Sequence, residues 1–201
     1  GWQDGQFTKV ALQIVEDPTV RDQMIRSGDA DMTKDLPFDS LESLKAEKNL
    51  TIEPSLPLSQ MIVGLNNDHA PLNNVDVRRA LSMTFPYEDV RQGLFLGNGR
   101  VSAGAGPTAL WDPPADFPQY KHDLGQASAL LKKAGLDKGF DLRVAVYIGT
   151  KEIMEAVRLW QSELAKINVR LDIHELSGGA FWDAAYDPKN KDYDVFVVVA
   201  N

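Results

Sequence analysis

Cysteine is absent from the 201 residues, which removes disulfides, thiolate metal sites and cysteine nucleophiles together. Histidine is nearly as scarce. His69, His122 and His174 lie far apart, and no two stand at metal-ligand spacing. Each reads as an ordinary surface or hydrogen-bonded residue, His174 on the polar face of a strand. No long apolar run occurs either. The longest, Val195–Ala200, falls far short of the roughly 20 residues that a membrane-spanning helix needs. Clustered basic charge is also lacking. The chain has 21 Lys+Arg against 29 Asp+Glu, a net charge of -8 and a pI of about 4.9. Nucleic acid and anionic membrane surfaces, which both require a basic patch, are therefore poor partners. The acidity reads as a contribution to solubility.

Catalytic and cofactor signatures are missing as well. No Gly-x-Ser-x-Gly elbow occurs. Gly97-Asn98-Gly99 begins like a phosphate loop, but it lacks the third glycine and follows a helical pattern rather than a strand. Asp187–Asp192 faintly resembles a calcium loop. It has no glycine at the sixth position, and Val198 stands where the bidentate glutamate belongs, so it reads as a polar turn. Asn49-Leu50-Thr51 matches the glycosylation sequon, a tripeptide common by chance. Asp29 and Asp31 carry nothing that marks an acid and a base. No catalytic residue, cofactor or metal is expected.

What is present is an ordinary globular composition, 43% hydrophobic and 25% charged, and enough chain for one large or two small α/β domains. Val10, Leu12 and Ile14 alternate with Ala11 and Gln13, which predicts a strand. Asp17-Pro18 reads as a cap and first helical position, with Val20, Met24 and Ile25 as the stripe and Gly28 as the stop. A short helix at about Asp39–Glu47 and a strand near Leu50–Ile52 follow. Pro54 and Pro57 punctuate the chain and place a boundary or hinge near residues 54–60. Met61–Leu65 predicts a strand. Asn74 caps a helix with Val77, Ala80 and Leu81 inward. After Pro86 a second helix carries Val90, Leu94 and Phe95 to Gly97. Residues 97–120 form a long Gly- and Pro-rich loop.

The next unit is the clearest. Asp123 and Gln126 predict a capping box ahead of Leu124, Ala127, Leu130, Leu131 and Ala134. Phe140, Leu142, Val144, Val146 and Ile148 alternate at strand spacing. Ile153, Val157, Trp160, Leu164 and Ile167 make a helical face that Asn168 ends. Val169, Leu171 and Ile173 alternate again, Ala180–Tyr186 is helical, and Tyr193–Ala200 reads as a strand buried on both faces. Helices alternating with strands predict an α/β fold with a mixed or parallel sheet. Trp160 belongs to a core, while Trp111 and Trp182 are candidates to wall a ligand site. The chain opens without an initiator Met and stops inside an apolar strand, so it is expected to be cut from something longer.

One segment carries a resemblance. Pro71-Leu72-Asn73-Asn74-Val75-Asp76-Val77-Arg78-Arg79-Ala80-Leu81-Ser82 resembles the signature of family 5 bacterial extracellular solute-binding proteins, the oligopeptide-, dipeptide- and nickel-binding group. Gly97-x-Gly99, Gly106-Pro107, the helix ending Leu130–Gly135, the helix with Trp160 and the closing Tyr193-Asp194-Val195 continue it. Ser27-Gly28-Asp29-Ala30-Asp31 resembles the turn before that family's hinge. Departures are Asn74 where Asp is usual, and Thr84-Phe85-Pro86-Tyr87 where the family has Ala-x-Asp-Arg.

The resemblance implies a periplasmic-binding-protein type II-like lobe, a mixed sheet flanked by helices. It makes residues 1–55 the tail of a first lobe, 56–60 the hinge, and 61–201 most of a second lobe. It implies a substrate-binding component of an ABC importer, closing two hinged lobes on a peptide or similar small solute and passing it to permease subunits. A monomer is expected, periplasmic or extracellular, with a lipoprotein anchor as an option. By position, Ile62, Gly64, Gly179, Asp183, Val199 and Asn201 border the cleft. Gly179 stands where peptide binders often carry a bulky aromatic. The family's amine-holding aspartate would lie beyond Asn201. The alternative is the same module as the sensing domain of a transcriptional regulator.

Overall fold

The computed structural model describes residues 7–34, 36–53, 60–102, 104, 106, 114, 116–148, 151–187 and 189–200. The chain divides into two compact units, residues 1–54 and 55–201.

In the first unit, helix α1 (Pro18–Ser27) begins where expected. The Asp17 carboxylate accepts from the backbone N–H of Thr19 at 2.7 Å and of Val20 at 3.4 Å, and Pro18 takes the first turn. Those two N–H bonds hold the Asp17 carboxyl below the usual carboxylate range. Gly28 ends the helix at φ 81, a left-handed value that glycine adopts without cost. A 3-10 turn (Phe38–Ser40) leads into α2 (Leu41–Lys45), shorter than expected. The Arg26 guanidinium joins α1 to α2, bonding Asp22 at 3.0 Å and Ser43 at 2.6 Å. Two predicted strands do not form. Residues 9–17 and 49–53 contain no strand. A strand needs a partner for its N–H and C=O groups, and none is present among the described residues of this unit.

The second unit is built on four strands, β1 (Gln60–Leu65), β2 (Phe140–Tyr147), β3 (Val169–Leu176) and β4 (Val195–Ala200). Their order is β1-β4-β2-β3. β2 runs parallel to both β3 and β4, while β1 is antiparallel to β4. The sheet is mixed, as predicted. Its helices are α3 (Val75–Thr84), α4 (Tyr87–Asp89, continued by a π turn over Val90–Leu94), α5 (Leu124–Lys133), α6 (Lys151–Ala165) and α7 (Gly178–Tyr186).

One sheet face carries the core. Leu142, Val144, Val146, Val169, Leu171, Val195 and Val197 meet Val77, Ala80 and Leu81 of α3, Ala127 and Leu131 of α5, and Val157, Trp160 and Leu164 of α6. The Trp160 indole N–H donates to the Thr84 hydroxyl at 2.7 Å, and that hydroxyl donates to the Leu81 carbonyl at 2.7 Å. Both residues are fully buried, so each polar group finds its partner inside the core. Thr84 is therefore an integral core residue where the family pattern has another sequence.

The caps follow the sequence with one change. Asn74 accepts from the Asp76 N–H at 2.9 Å and Asp123 from the Gln126 N–H at 2.8 Å. The Gln126 side chain donates to the Asp123 carboxylate, because the Asp123 N–H is already spent on the Met83 carbonyl. Asn168 turns the chain out of α6 at φ 62. There it lies so close to Gly139 that a Cβ on Gly139 would stand 1.8 Å from the Asn168 carbonyl oxygen.

β4 departs from expectation. Val195 and Val197 are fully buried, but Phe196 and Val198 are half-buried and Val199 is 39% exposed. Its second face, with Phe196 and Val198, is only partly covered, with Phe181 of α7 against Phe196, and Val199 is exposed on the core face.

Candidate functional site

The parallel strands β2, β3 and β4 all end at one side of the sheet. There Tyr147, Leu176 and Ala200 close their strands, and Gln60 opens β1 opposite Ala200. β4 pairs with β2 only from Val195 to Val197, opposite Val144–Val146. Beyond Val197, β4 pairs with β1 alone. In open α/β sheets, crevices outside the carboxyl ends of parallel strands are where ligands bind. Ile148 and Val199, 52% and 39% exposed, leave apolar surface at this end.

The face opposite the core is aromatic. Phe181 of α7 is buried against it, with ring centroids 5.9 Å from Phe196 and 5.5 Å from Tyr147, both edge-on. These are the favoured geometries of aromatic pairs. Trp182 packs on Phe181 at 5.1 Å and stacks on Tyr186 at 5.3 Å and 16°. Tyr193 and His174 extend the cluster along the face. Tyr147 lies over the start of α7, since a Cβ on Gly178 would come 3.3 Å from the Tyr147 hydroxyl.

Against this frame the six nominated residues divide. Ile62 faces Val198 and Gly64 faces Phe196 across the antiparallel pair, so all four share the aromatic face. A Cβ on Gly64 would meet only the Phe196 carbonyl, at 3.7 Å, and one on Gly179 would meet nothing within 4 Å. Neither glycine is demanded by packing, and each leaves space. Gly179 and Asp183 sit one turn apart on α7, exposed, away from buried Phe181. Val199 pairs with Met61 on the other face. Asn201 and the candidate wall Trp111 lie outside the described residues.

Sequence reasoning missed Asp194 as an organiser. Its carboxylate contacts His69 Nδ1 at 3.1 Å and accepts the Arg143 N–H at 2.8 Å. Its backbone donates to Arg143 and accepts from Asn66, at 2.9 Å each. One residue thus ties the end of β1 and the middle of β2 to the start of β4, at the opposite side of the sheet from the carboxyl ends of the parallel strands. His69 and Asp194 are 125 residues apart, so no local signal joins them. His122 contacts Glu163 at 3.1 Å and His174 contacts Asp172 at 2.9 Å. A shallow groove of about 680 Å³ near Asp194 is lined by Asp141, Arg143, Gln161, Arg170, Leu171 and Asp172. Its charges pair internally, Arg170 with Asp141 and Arg143 with Asp194, and offer no field of one sign. Among the described residues no group of three or more His, Cys, Asp or Glu could hold a metal ion, and no helix is long and apolar enough to cross a membrane.

Burial pushes the Tyr87 hydroxyl up to about 12 while it donates to the Ser82 carbonyl. The Lys166 ammonium, hydrogen-bonded to Glu163, holds that carboxyl below its ordinary range, with His122 adding to the effect.

The fold is that of part of a type II periplasmic binding protein. A peptide-bound DppA from Helicobacter pylori superimposes with a TM-score of 0.79 at 20% identity, covering 92% of this chain and 35% of that one. AppA from Bacillus subtilis, bound to a nonapeptide, gives 0.75 at 20% identity over 93% of this chain and 40% of that one. Residues 2–201 match the bacterial extracellular solute-binding proteins, family 5 Middle, and the chain belongs to that family. The probable D,D-dipeptide-binding periplasmic protein DdpA of Escherichia coli (strain K12) is 30% identical over 95% of this chain and 36% of its own length. The chain thus spans about a third of this relative. Members of the family are binding proteins by name, not enzymes.

Proposed function

We propose that this chain is part of the substrate-binding component of an ABC importer, which captures a peptide or similar small solute and hands it to the membrane permease. Membership of the family over residues 2–201 carries this reading. The shared carboxyl-end side of the parallel strands and the aromatic face support it, because they supply a partly apolar surface with few polar groups where open α/β sheets bind ligands. In this reading residues 1–55 belong to a first lobe, 56–60 to a hinge and 61–201 to a second lobe. Ligand binding shifts the population toward a closed form.

Ile62, Gly64, Gly179, Asp183, Val199 and Asn201 border the cleft. The missing side chains of Gly64 and Gly179 make room for the ligand, and Asp183 offers a carboxylate to a cationic group. The protein is non-catalytic, works as a monomer outside the cytoplasmic membrane, and is held there by a lipid anchor or left free. No observation favours the regulator alternative.

Isothermal titration of di- to tetrapeptides into a protein of the relatives' full length tests the reading. Saturable binding that Gly64→Leu weakens about tenfold, roughly 1.4 kcal/mol, with unchanged melting temperature, is expected. Absence of binding for every peptide length contradicts the peptide assignment.

A further inference from the structure

The long Gly- and Pro-rich loop is tied to the sheet by a side chain. Among its described residues from Arg100 to Gly106, no backbone–backbone hydrogen bond reaches a strand or helix. Instead the Gln60 side-chain amide donates from Nε2 to the Gly104 carbonyl at 2.7 Å, across 44 residues. The Ser102 hydroxyl lies 2.9 Å from the same carbonyl and 3.3 Å from that of Gly106, and it accepts the Gly104 N–H at 3.4 Å. The loop is folded on Ser102 and moored by Gln60.

The mooring sits at the ligand side of the sheet. Gln60 is the first residue of β1, opposite Ala200, where the parallel strands end. Side chains alternate along a strand, so Gln60 shares a face with Ile62 and Gly64. Gly104 is thereby held at the carboxyl ends of the strands.

This bond is not arranged for stability. With its nitrogen on Gly104, the amide leaves Oε1 buried and without a hydrogen-bond partner among the described residues. Exchanging the two ends of the amide would set oxygen against oxygen, so Gly104 dictates the orientation. A buried acceptor left unpaired costs more than an ordinary hydrogen bond returns. Methionine, unbranched and of similar length, would avoid that cost, and the Gly104 carbonyl would keep Ser102. A polar group held at a net cost to folding, on the side of the sheet where ligands bind, marks a residue kept for the site.

We propose that Gln60 is a positioning residue for solute binding, a role that rests on the solute-binding reading above: it holds the loop at Ser102 and Gly104 as one wall of the site. Gln60 touches the loop and not the solute. A wall already in place does not have to be ordered when the solute arrives, so the mooring raises affinity by preorganisation.

Gln60→Met in a protein of the relatives' full length tests this, with alanine di- to tetrapeptides as probes. Calorimetry reads the affinity, denaturant unfolding reads the midpoint, and hydrogen exchange by mass spectrometry reads the segment that contains Gly104. The expected result is a midpoint that is unchanged or higher, exchange in that segment at least about tenfold faster, and peptide affinity about tenfold weaker. Affinity and exchange that both stay unchanged overturn the proposal and leave the peptide reading intact. Faster exchange with unchanged affinity also overturns it, because the loop is then moored but is no wall of the site. A midpoint that falls, or a variant that does not fold, overturns it too and makes Gln60 a residue of the fold. Wild-type protein that binds none of the peptides overturns the peptide reading, and this proposal with it.

Discussion

The two units differ in one respect that governs the rest. Residues 55–201 close a sheet face with three helices and bury Trp160, Leu164, Val144 and Val197 essentially completely. Residues 1–54 contain one well-capped helix, α1, yet bury only Leu44 among the described residues. Capping and propensity make helices where the sequence says, but they do not make a core. Stability comes from apolar area removed from water, and among the described residues nearly all the buried apolar side chains lie in the second unit.

The comparison is broken most severely from inside the second unit. Trp160→Ala removes the largest buried side chain among the described residues and the indole donor to the Thr84 hydroxyl. It should cost about 3–5 kcal/mol, read as a drop in the denaturant midpoint of the helical circular dichroism signal. An unchanged midpoint would mean that the core is not where the stability lies. Gly139→Ala should follow. Its Cβ collides with the Asn168 carbonyl at φ 83, and strain of this kind costs about 1–3 kcal/mol before any overlap is counted. Thr84→Val keeps the shape but leaves the indole N–H without an acceptor, for about 1–3 kcal/mol. Restoring the midpoint with Thr84→Ser would tie that loss to the hydrogen bond.

Substitutions in the first unit should behave differently. Asp17→Ala removes the cap of α1 and should cost that helix about 1 kcal/mol. The loss should appear as faster amide exchange at Thr19 and Val20, with the midpoint of the second unit unmoved. A shift of the global midpoint would show that the two units unfold together.

The smallest effect is one of pH. Glu163 has a carboxyl held below its ordinary value, first by Lys166 and then by His122. Its charged form is therefore favoured by folding. The contribution is present above the unfolded value and lost as pH falls through the lower folded value. Glu163→Gln should flatten that acid limb slightly in a melting series, and an unaltered limb would remove Glu163 from the account.

Much of the second unit was legible in the sequence because its signals are local. The alternation of Leu142, Val144 and Val146 and the 3-4 spacing of Val157, Trp160 and Leu164 each fit one period and one buried face. The strand order was not legible, since β4 comes last in sequence yet lies between β1 and β2. Nor were Thr84–Trp160, 76 residues apart, and His69–Asp194, 125 residues apart. The same local signal misled at Val10–Ile14, where alternation is real but a strand also needs a neighbour. For the candidate site, Gly64 and Ile62 were placed by family position. Residues alone did not reveal that Phe181, Tyr147 and Phe196 build the surface beside them.

The most direct test of the central claim, that this chain belongs to a solute carrier, is the native mass of the full-length protein purified from its host, measured before and after denaturation. The account predicts excess mass in the folded state, released on unfolding as a small molecule that fragments as a peptide or a similar solute. A protein that is empty as isolated, and stays empty when offered mixed peptides, would contradict it.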